Sequence, residues 1–136
     1  MKNLKENVVI NEIKYIIKNE NDLIQKFLLN NVQWNNNILL TIGQLIKQFN
    51  LKHFINIGCH IGTVCLPISK YIKKVTAIEA FPLTFMHLEE NIKLNKIKNI
   101  DTFNLAIGDE NKKIYFLDNE NERVKNNSGG MHVITQ

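Results

Sequence analysis

Two glycines and one carboxylate carry the chemistry legible in this sequence. Gly58 and Gly62 follow an apolar run, Phe54–Ile57, and Glu79 follows a second one, Val75–Ile78. Short continuous apolar runs suit strands of a buried parallel sheet. Glycines at the turn after such a strand leave room for a tight bend or for a ligand's approach. In an open α/β sheet, ligands bind off the carboxyl ends of the strands, where Glu79 would stand. A carboxylate there can accept hydrogen bonds from two ribose hydroxyls. The spacing Gly-x-x-x-Gly is not the G-x-G-x-x-G of dinucleotide sites, and there is no G-x-x-x-x-G-K-[ST] phosphate loop. A wider turn with fewer glycines fits a nucleoside without a pyrophosphate, and S-adenosylmethionine (SAM) is the candidate ligand.

The surrounding elements must hold these residues in place. Thr63–Lys74 has helical spacing, with Val64, Leu66, Ile68, Tyr71 and Ile72 on its apolar face. Pro67 lies near enough to the start that its missing N–H costs little. After Glu79, Ala80-Phe81-Pro82 leads to a helix over Thr84–Asn95, with Phe85, Leu88, Ile92 and Leu94 toward the sheet and Glu89 and Glu90 toward water. Asp101–Ile107 alternates as a third strand, closed by Gly108-Asp109. Lys113–Leu117 reads as an edge or hairpin strand, 118–130 as a polar mobile loop and His132–Thr135 as a last short strand. Upstream, residues 8–31 read as helix, broken near Asn19–Asp22, with Asn21 or Asp22 capping the second piece. Asn30–Asn37 is a loop carrying Trp34, the only tryptophan. Ile38–Phe49 is an amphipathic helix, with Leu39, Ile42, Leu45, Ile46 and Phe49 inward and Asn50 at its end. The chain thus divides into a helical cover, 1–50, and a partial Rossmann-like SAM-binding domain, 51–136.

The 136 residues suffice for one small domain. Lys+Arg is 17 against Asp+Glu 13, a net +4, and Arg123 is the only arginine. The lysines are scattered among asparagines and isoleucines, whereas nucleic-acid surfaces cluster their charge and lean on arginine. Cys59 and Cys65 form no C-x-x-C pair and, with His60 and His87, no zinc spacing, so no metal is expected. No signal peptide is apparent, and the apolar windows are shorter than the ~20 residues of a membrane span. A reduced, cytoplasmic protein without membrane or nucleic-acid partner is the expectation.

The segment FINIGCHIGTVCLPISK resembles the first motif of class I SAM-dependent methyltransferases, especially the FkbM-like family. VTAIEAFPLTFMHLEENIKLNKIKNI and LAIGD resemble that family's second and third motifs in the same order, and NNSGGMHV is similar to a later glycine-containing stretch. The resemblance covers roughly residues 51–136. It implies an α/β Rossmann-like sheet and SAM as cofactor. The implied cofactor residues are Asn56, Gly58, Cys59, His60, Gly62, Thr63, Glu79, Ala80, Phe81, Ala106, Ile107 and Asp109. Within that set, Glu79 holds the ribose, Phe81 lies against the adenine, and Asp109 accepts from the adenine amino group beside Ala106 and Ile107. Trp34 would match an aromatic that precedes the family's first helix, with Asn35 where an acid is expected. Asn91 and Asn95 recur in the family's helix and would brace local backbone. The implied reaction is methyl transfer to an oxygen, or a nitrogen, of a small molecule or sugar.

The sequence departs from that pattern in three ways. Asn56 stands where an acid is common, and His60 stands where a small polar residue is usual; His60 could reach the ligand carboxylate or be an exposed turn residue. The chain offers three parallel strands plus one or two short ones, fewer than a full sheet, so the fold is expected to be truncated after the first strands. Such a sheet leaves an edge to be covered, by the N-terminal helices, a second copy or another partner. The alternative to an enzyme is a truncated, non-catalytic module that binds SAM or S-adenosylhomocysteine. No catalytic residue can be named; His60 and His132 are the only candidate bases.

Overall fold

The computed structural model describes residues 6–116, 127–130 and 133–134. Strands β1 (Glu6–Ile10) and β2 (Ile13–Ile17) come first, then helices α1 (Leu23–Leu29) and α2 (Asn36–Phe49). Strand β3 (His53–Ile57), helix α3 (Cys65–Ser69), strand β4 (Lys74–Ile78), helix α4 (Pro82–Leu94) and strand β5 (Ile100–Phe103) form the central βαβαβ run. Strands β6 (Tyr115–Phe116) and β7 (Val133–Ile134) pair antiparallel. The central sheet has the order β3-β4-β5, all parallel, with His53 beside Lys74 and Val75 beside Ile100.

The N-terminal region corrects the expected helix over 8–31. Residues 6–17 form an antiparallel hairpin in which Ile10 pairs with Ile13, so Asn11 and Glu12 alone make the loop. Both have positive φ, 48° and 65°, the backbone of a type I′ turn whose twist matches the strands. Ile13, Tyr15 and Ile17 are buried while Lys14 is exposed, a period of two. Ile13, Ile16 and Ile17 also satisfy helical spacing, but the β-branched density of the segment favours the pleated form. The second half stands as expected: Asp22 caps α1, its Oδ1 accepting from Gln25 N at 3.1 Å.

The outer edge of β2 is satisfied by α4. His87, Asn91 and Asn95 lie at i, i+4 and i+8 on one helix face. His87 Nε2 donates to Ile16 O at 2.7 Å, Asn91 Oδ1 accepts from Ile16 N at 2.9 Å, and Asn95 bonds both N and O of Lys14. An exposed strand edge is thereby capped without another strand. Asn91 and Asn95 do brace backbone, but chiefly that of the distant hairpin rather than the local backbone expected, and His87 joins them.

Helix α3 is shorter than the expected Thr63–Lys74. Past Pro67 the chain tightens: Lys70 N donates to Pro67 O and Tyr71 N to Ile68 O, both i to i−3, and Ser69 Oγ takes the Leu66 carbonyl. Tyr71, expected inward, is exposed. Strand β5 stops at Phe103 rather than Ile107, because its partner β4 has already turned toward α4 at Pro82 and offers no further ladder. On α2, Ile46 is buried and Leu39 and Ile42 half-buried, but Leu45 and Phe49, also expected inward, are exposed. One face of the sheet is packed, through Val75 and Ala77, while Ile55, Ile57 and Phe103 on the other face are exposed. The loop expected over 118–130 lies largely outside the described residues, as does His132.

Candidate functional site at the strand ends

The carboxyl ends of β3, β4 and β5 converge on Glu79. It is buried, and its two oxygens are shared between two loops: Oε2 accepts from His60 N at 2.8 Å and Oε1 from Phe81 N at 2.9 Å. Each carboxylate oxygen retains a further acceptor direction. Gly58 N and Cys59 N both donate to Ile78 O, which pins the start of the glycine turn to the end of β4. From β5, Asn104 Nδ2 donates to Glu79 O at 2.9 Å and Ala80 O at 3.0 Å. Gly58, Cys59, His60, Glu79, Ala80 and Phe81 are therefore one hydrogen-bonded group.

The two glycines serve different ends. Gly58 has φ +69° and an added Cβ would meet nothing within 4 Å, so its surface is open to a ligand. Gly62 has φ +96°, and an added Cβ would fall 1.9 Å from Leu66 Cδ1 and 2.9 Å from Leu88 Cδ1. Gly62 is thus a packing position that lets α3 and α4 close beneath the turn. Thr63 is buried next to it, and its carbonyl accepts from Gln33 Nε2 at 2.9 Å. Through Gln33 the Trp34 loop borders the turn; Trp34 itself packs edge-on against Phe27, centroids 5.0 Å apart.

His60 is 8% exposed, with its backbone in the left-handed region at φ 52°. Its Nε2 lies 2.7 Å from Ser128 Oγ, and Ser128 Oγ and N donate to Asp22 Oδ2 at 2.7 and 2.8 Å. The expectation of an exposed turn histidine is corrected by this burial. Loss of solvation pushes the imidazole below its ordinary range, and the Asp22 and Glu79 carboxylates pull the other way. Cys59 and Cys65 are buried free thiols. The hydrogen bond with Cys65, followed by burial, pushes the Cys59 thiol up, away from the reactive thiolate. Among the described residues no cluster of His, Cys, Asp and Glu could hold a metal ion.

The remaining expected residues lie outside this group. Asn56 points to the same face of β3 as half-buried Phe54, and its Oδ1 is covered and unpaired. Ala106, Ile107 and Asp109 follow the end of β5 on an irregular stretch, all exposed, and no hydrogen bond ties them to Glu79. Phe81 instead meets Phe116 of β6 edge-on, centroids 5.1 Å apart. Sequence reading missed Gln33, Asn104, Phe116, Asp22 and Ser128 as neighbours of the site; only the S-G-G of 128–130 gave any signal. A groove of about 1060 Å³ runs between the hairpin loop, α2 and α3, lined by Glu12, Leu40, Lys47, Lys70 and Tyr71. It contains none of the strand-end residues.

The fold is that of a partial Rossmann-like domain of the class I methyltransferase type. No protein-family model and no curated protein matches the chain. Among solved structures it is similar to TYW2 of Pyrococcus horikoshii in complex with MeSAdo, with 26% identity, TM-score 0.54, and coverage of 77% of this chain and 37% of that one. It is also similar to a P. horikoshii protein described as a transferase, with 26% identity, TM-score 0.52 and the same coverage of 77% and 37%. TYW2 of M. jannaschii in complex with AdoMet shares the fold at 22% identity, TM-score 0.52, over 78% of this chain and 45% of that one. The chain thus spans less than half the length of each of these proteins. Among the described residues, no helix is long and apolar enough to cross a membrane.

Proposed function

We propose that this chain binds SAM at the carboxyl ends of β3, β4 and β5 and forms the donor-binding part of a SAM-dependent methyltransferase. One observation carries the reading: a buried carboxylate, Glu79, ends β4 and holds the glycine turn on one side and Phe81 on the other. The open surface above Gly58 and the likeness to TYW2 in complex with MeSAdo support an adenosyl ligand. Glu79 would take the ribose hydroxyls on its remaining acceptor directions, the turn would follow the amino-acid end, and Phe81 would flank the base. The sulfonium is already activated, so the protein's task is alignment of donor and acceptor for in-line displacement. The resemblance of residues 51–136 to the FkbM-like family supports a hydroxyl of a small molecule or sugar as acceptor. A reduced, cytoplasmic setting fits the two buried free thiols.

A second reading, a SAM- or S-adenosylhomocysteine-binding module without transfer, is favoured by the exposed sheet face of Ile55, Ile57 and Phe103. Either reading calls for a cover on that face, and a second copy is the simplest one. Light scattering should then show a dimer; a strict monomer at high concentration removes that part of the proposal. The central test is calorimetry with SAM and S-adenosylhomocysteine on the wild type and on Glu79→Ala. Micromolar binding that falls at least tenfold in the variant is expected, since a charged hydrogen bond is worth about 1.5–3 kcal/mol. Unchanged affinity in Glu79→Ala refutes the ribose role, and an acceptor screen then separates enzyme from module.

A further inference from the structure

The Asp22–Ser128–His60 chain fixes which ring nitrogen of His60 carries a proton. A carboxylate only accepts, so the single hydroxyl hydrogen of Ser128 goes to Asp22 Oδ2. Ser128 Oγ then has only lone pairs for the ring, and His60 Nε2 must be the donor across the 2.7 Å contact. In the neutral ring, which burial favours, His60 Nδ1 is then a bare acceptor. It is covered and has no partner, in a side chain 8% exposed, which is an arrangement that native structures rarely keep without a use.

We propose that His60 Nδ1 receives the protonated amino group of the ligand, so that the site takes a nucleoside bearing an amino-acid chain in preference to one without it. The inference rests on the adenosyl-ligand reading above and names the part of the ligand that this chain selects. Position supports it. The amino-acid chain leaves a nucleoside at the 5′ carbon of the ribose, and a ribose at Glu79 directs that chain along the turn whose His60 N–H Glu79 already holds. Charge supports it as well. The carboxylates of Asp22 and Glu79 both act on the ring, and among the described residues neither has a cationic partner. An ammonium is attracted to that field, whereas the ligand carboxylate, one of the two alternatives the sequence left open for His60, is repelled. Nδ1 is covered, so binding includes a local movement of the groups around the ring.

The test is calorimetry on the full 136-residue chain with two probes, S-adenosylhomocysteine and 5′-methylthioadenosine, which share the nucleoside and the thioether but differ in the amino-acid chain. His60→Asn is the variant of choice, because asparagine tolerates left-handed backbone and is too short to reach. Its affinity for S-adenosylhomocysteine should fall about tenfold, the worth of one charge-assisted hydrogen bond, with 5′-methylthioadenosine unchanged. An equal loss for both probes, or no loss for either, overturns the proposal while leaving the site reading intact. A wild type that binds neither probe overturns the site reading itself and this inference with it. A measurement on the wild type avoids any folding defect of the variant. The ring ¹⁵N resonances of His60 should show an unprotonated Nδ1 that shifts when S-adenosylhomocysteine is added and not when 5′-methylthioadenosine is. A protonated Nδ1 before any ligand is added overturns the proposal.

Discussion

Asn91 is the joint between the hairpin and the glycine turn, and its removal should cost more than its size suggests. The side chain is fully buried; Oδ1 accepts from Ile16 N at 2.9 Å and Nδ2 donates to Ile61 O at 3.0 Å. Asn91→Ala would strand one backbone donor on β2 and one backbone acceptor in the turn. Each buried group left unpaired costs about 1–3 kcal/mol. The two together come to roughly 2–6 kcal/mol, a large part of the ~5–15 kcal/mol that stabilises a typical domain. Urea unfolding followed by circular dichroism should show the midpoint fall with an unchanged slope. Hydrogen exchange should show the Ile16 amide losing protection before the central strands do. Because Ile61 lies between Gly58 and Gly62, adenosyl-ligand affinity should drop as well, although Asn91 touches no ligand. A loss within 0.5 kcal/mol, the range of an ordinary surface substitution, would refute the reasoning. It would mean that water replaces both bonds and that α4 does not organise the turn.

The two glycines should part company on substitution. Gly62→Ala forces a Cβ to 1.9 Å from Leu66 Cδ1 and should destabilise by about 2 kcal/mol or more, read as a lowered urea midpoint. Gly58→Ala meets open space and should cost only about 1 kcal/mol of backbone strain, with its larger effect on ligand affinity; equal stability losses would contradict this division. Acid should weaken the fold through His87, whose imidazole burial lowers to about 4. The unfolded chain takes up that proton near pH 6.5 and the native chain only near pH 4, so stability rises with pH across this window. The contribution is complete above pH 6.5 and is lost on descent to pH 4, amounting to about 3 kcal/mol at most. His87→Gln keeps a donor for Ile16 O and should flatten the stability change between pH 4.5 and 7; an unchanged slope would show that other groups carry it.

The βαβ core and its glycine turn were determined by local pattern. Short apolar runs before Gly58 and Glu79, with helical spacing between and after them, leave few alternatives to two parallel strands ending at a turn and an acid. The N-terminal hairpin was not legible because Ile13, Ile16 and Ile17 satisfy a period of 3.6 as well as one of two. What decides between them is α4, seventy residues away, whose His87, Asn91 and Asn95 pair the edge of β2. The limits of α3 and β5 were likewise set by neighbours, since a strand ends where its partner turns away. Sequence could name Glu79 and His60 as residues of interest, because their types and their distance from the glycines are local facts. Only tertiary structure could place Asp22 and Ser128, 106 residues apart, on one side of the His60 ring and so decide which of its nitrogens is a donor. Hydrogen-bond direction depends on where every donor and acceptor lies in space, and a chain of residue types does not contain that.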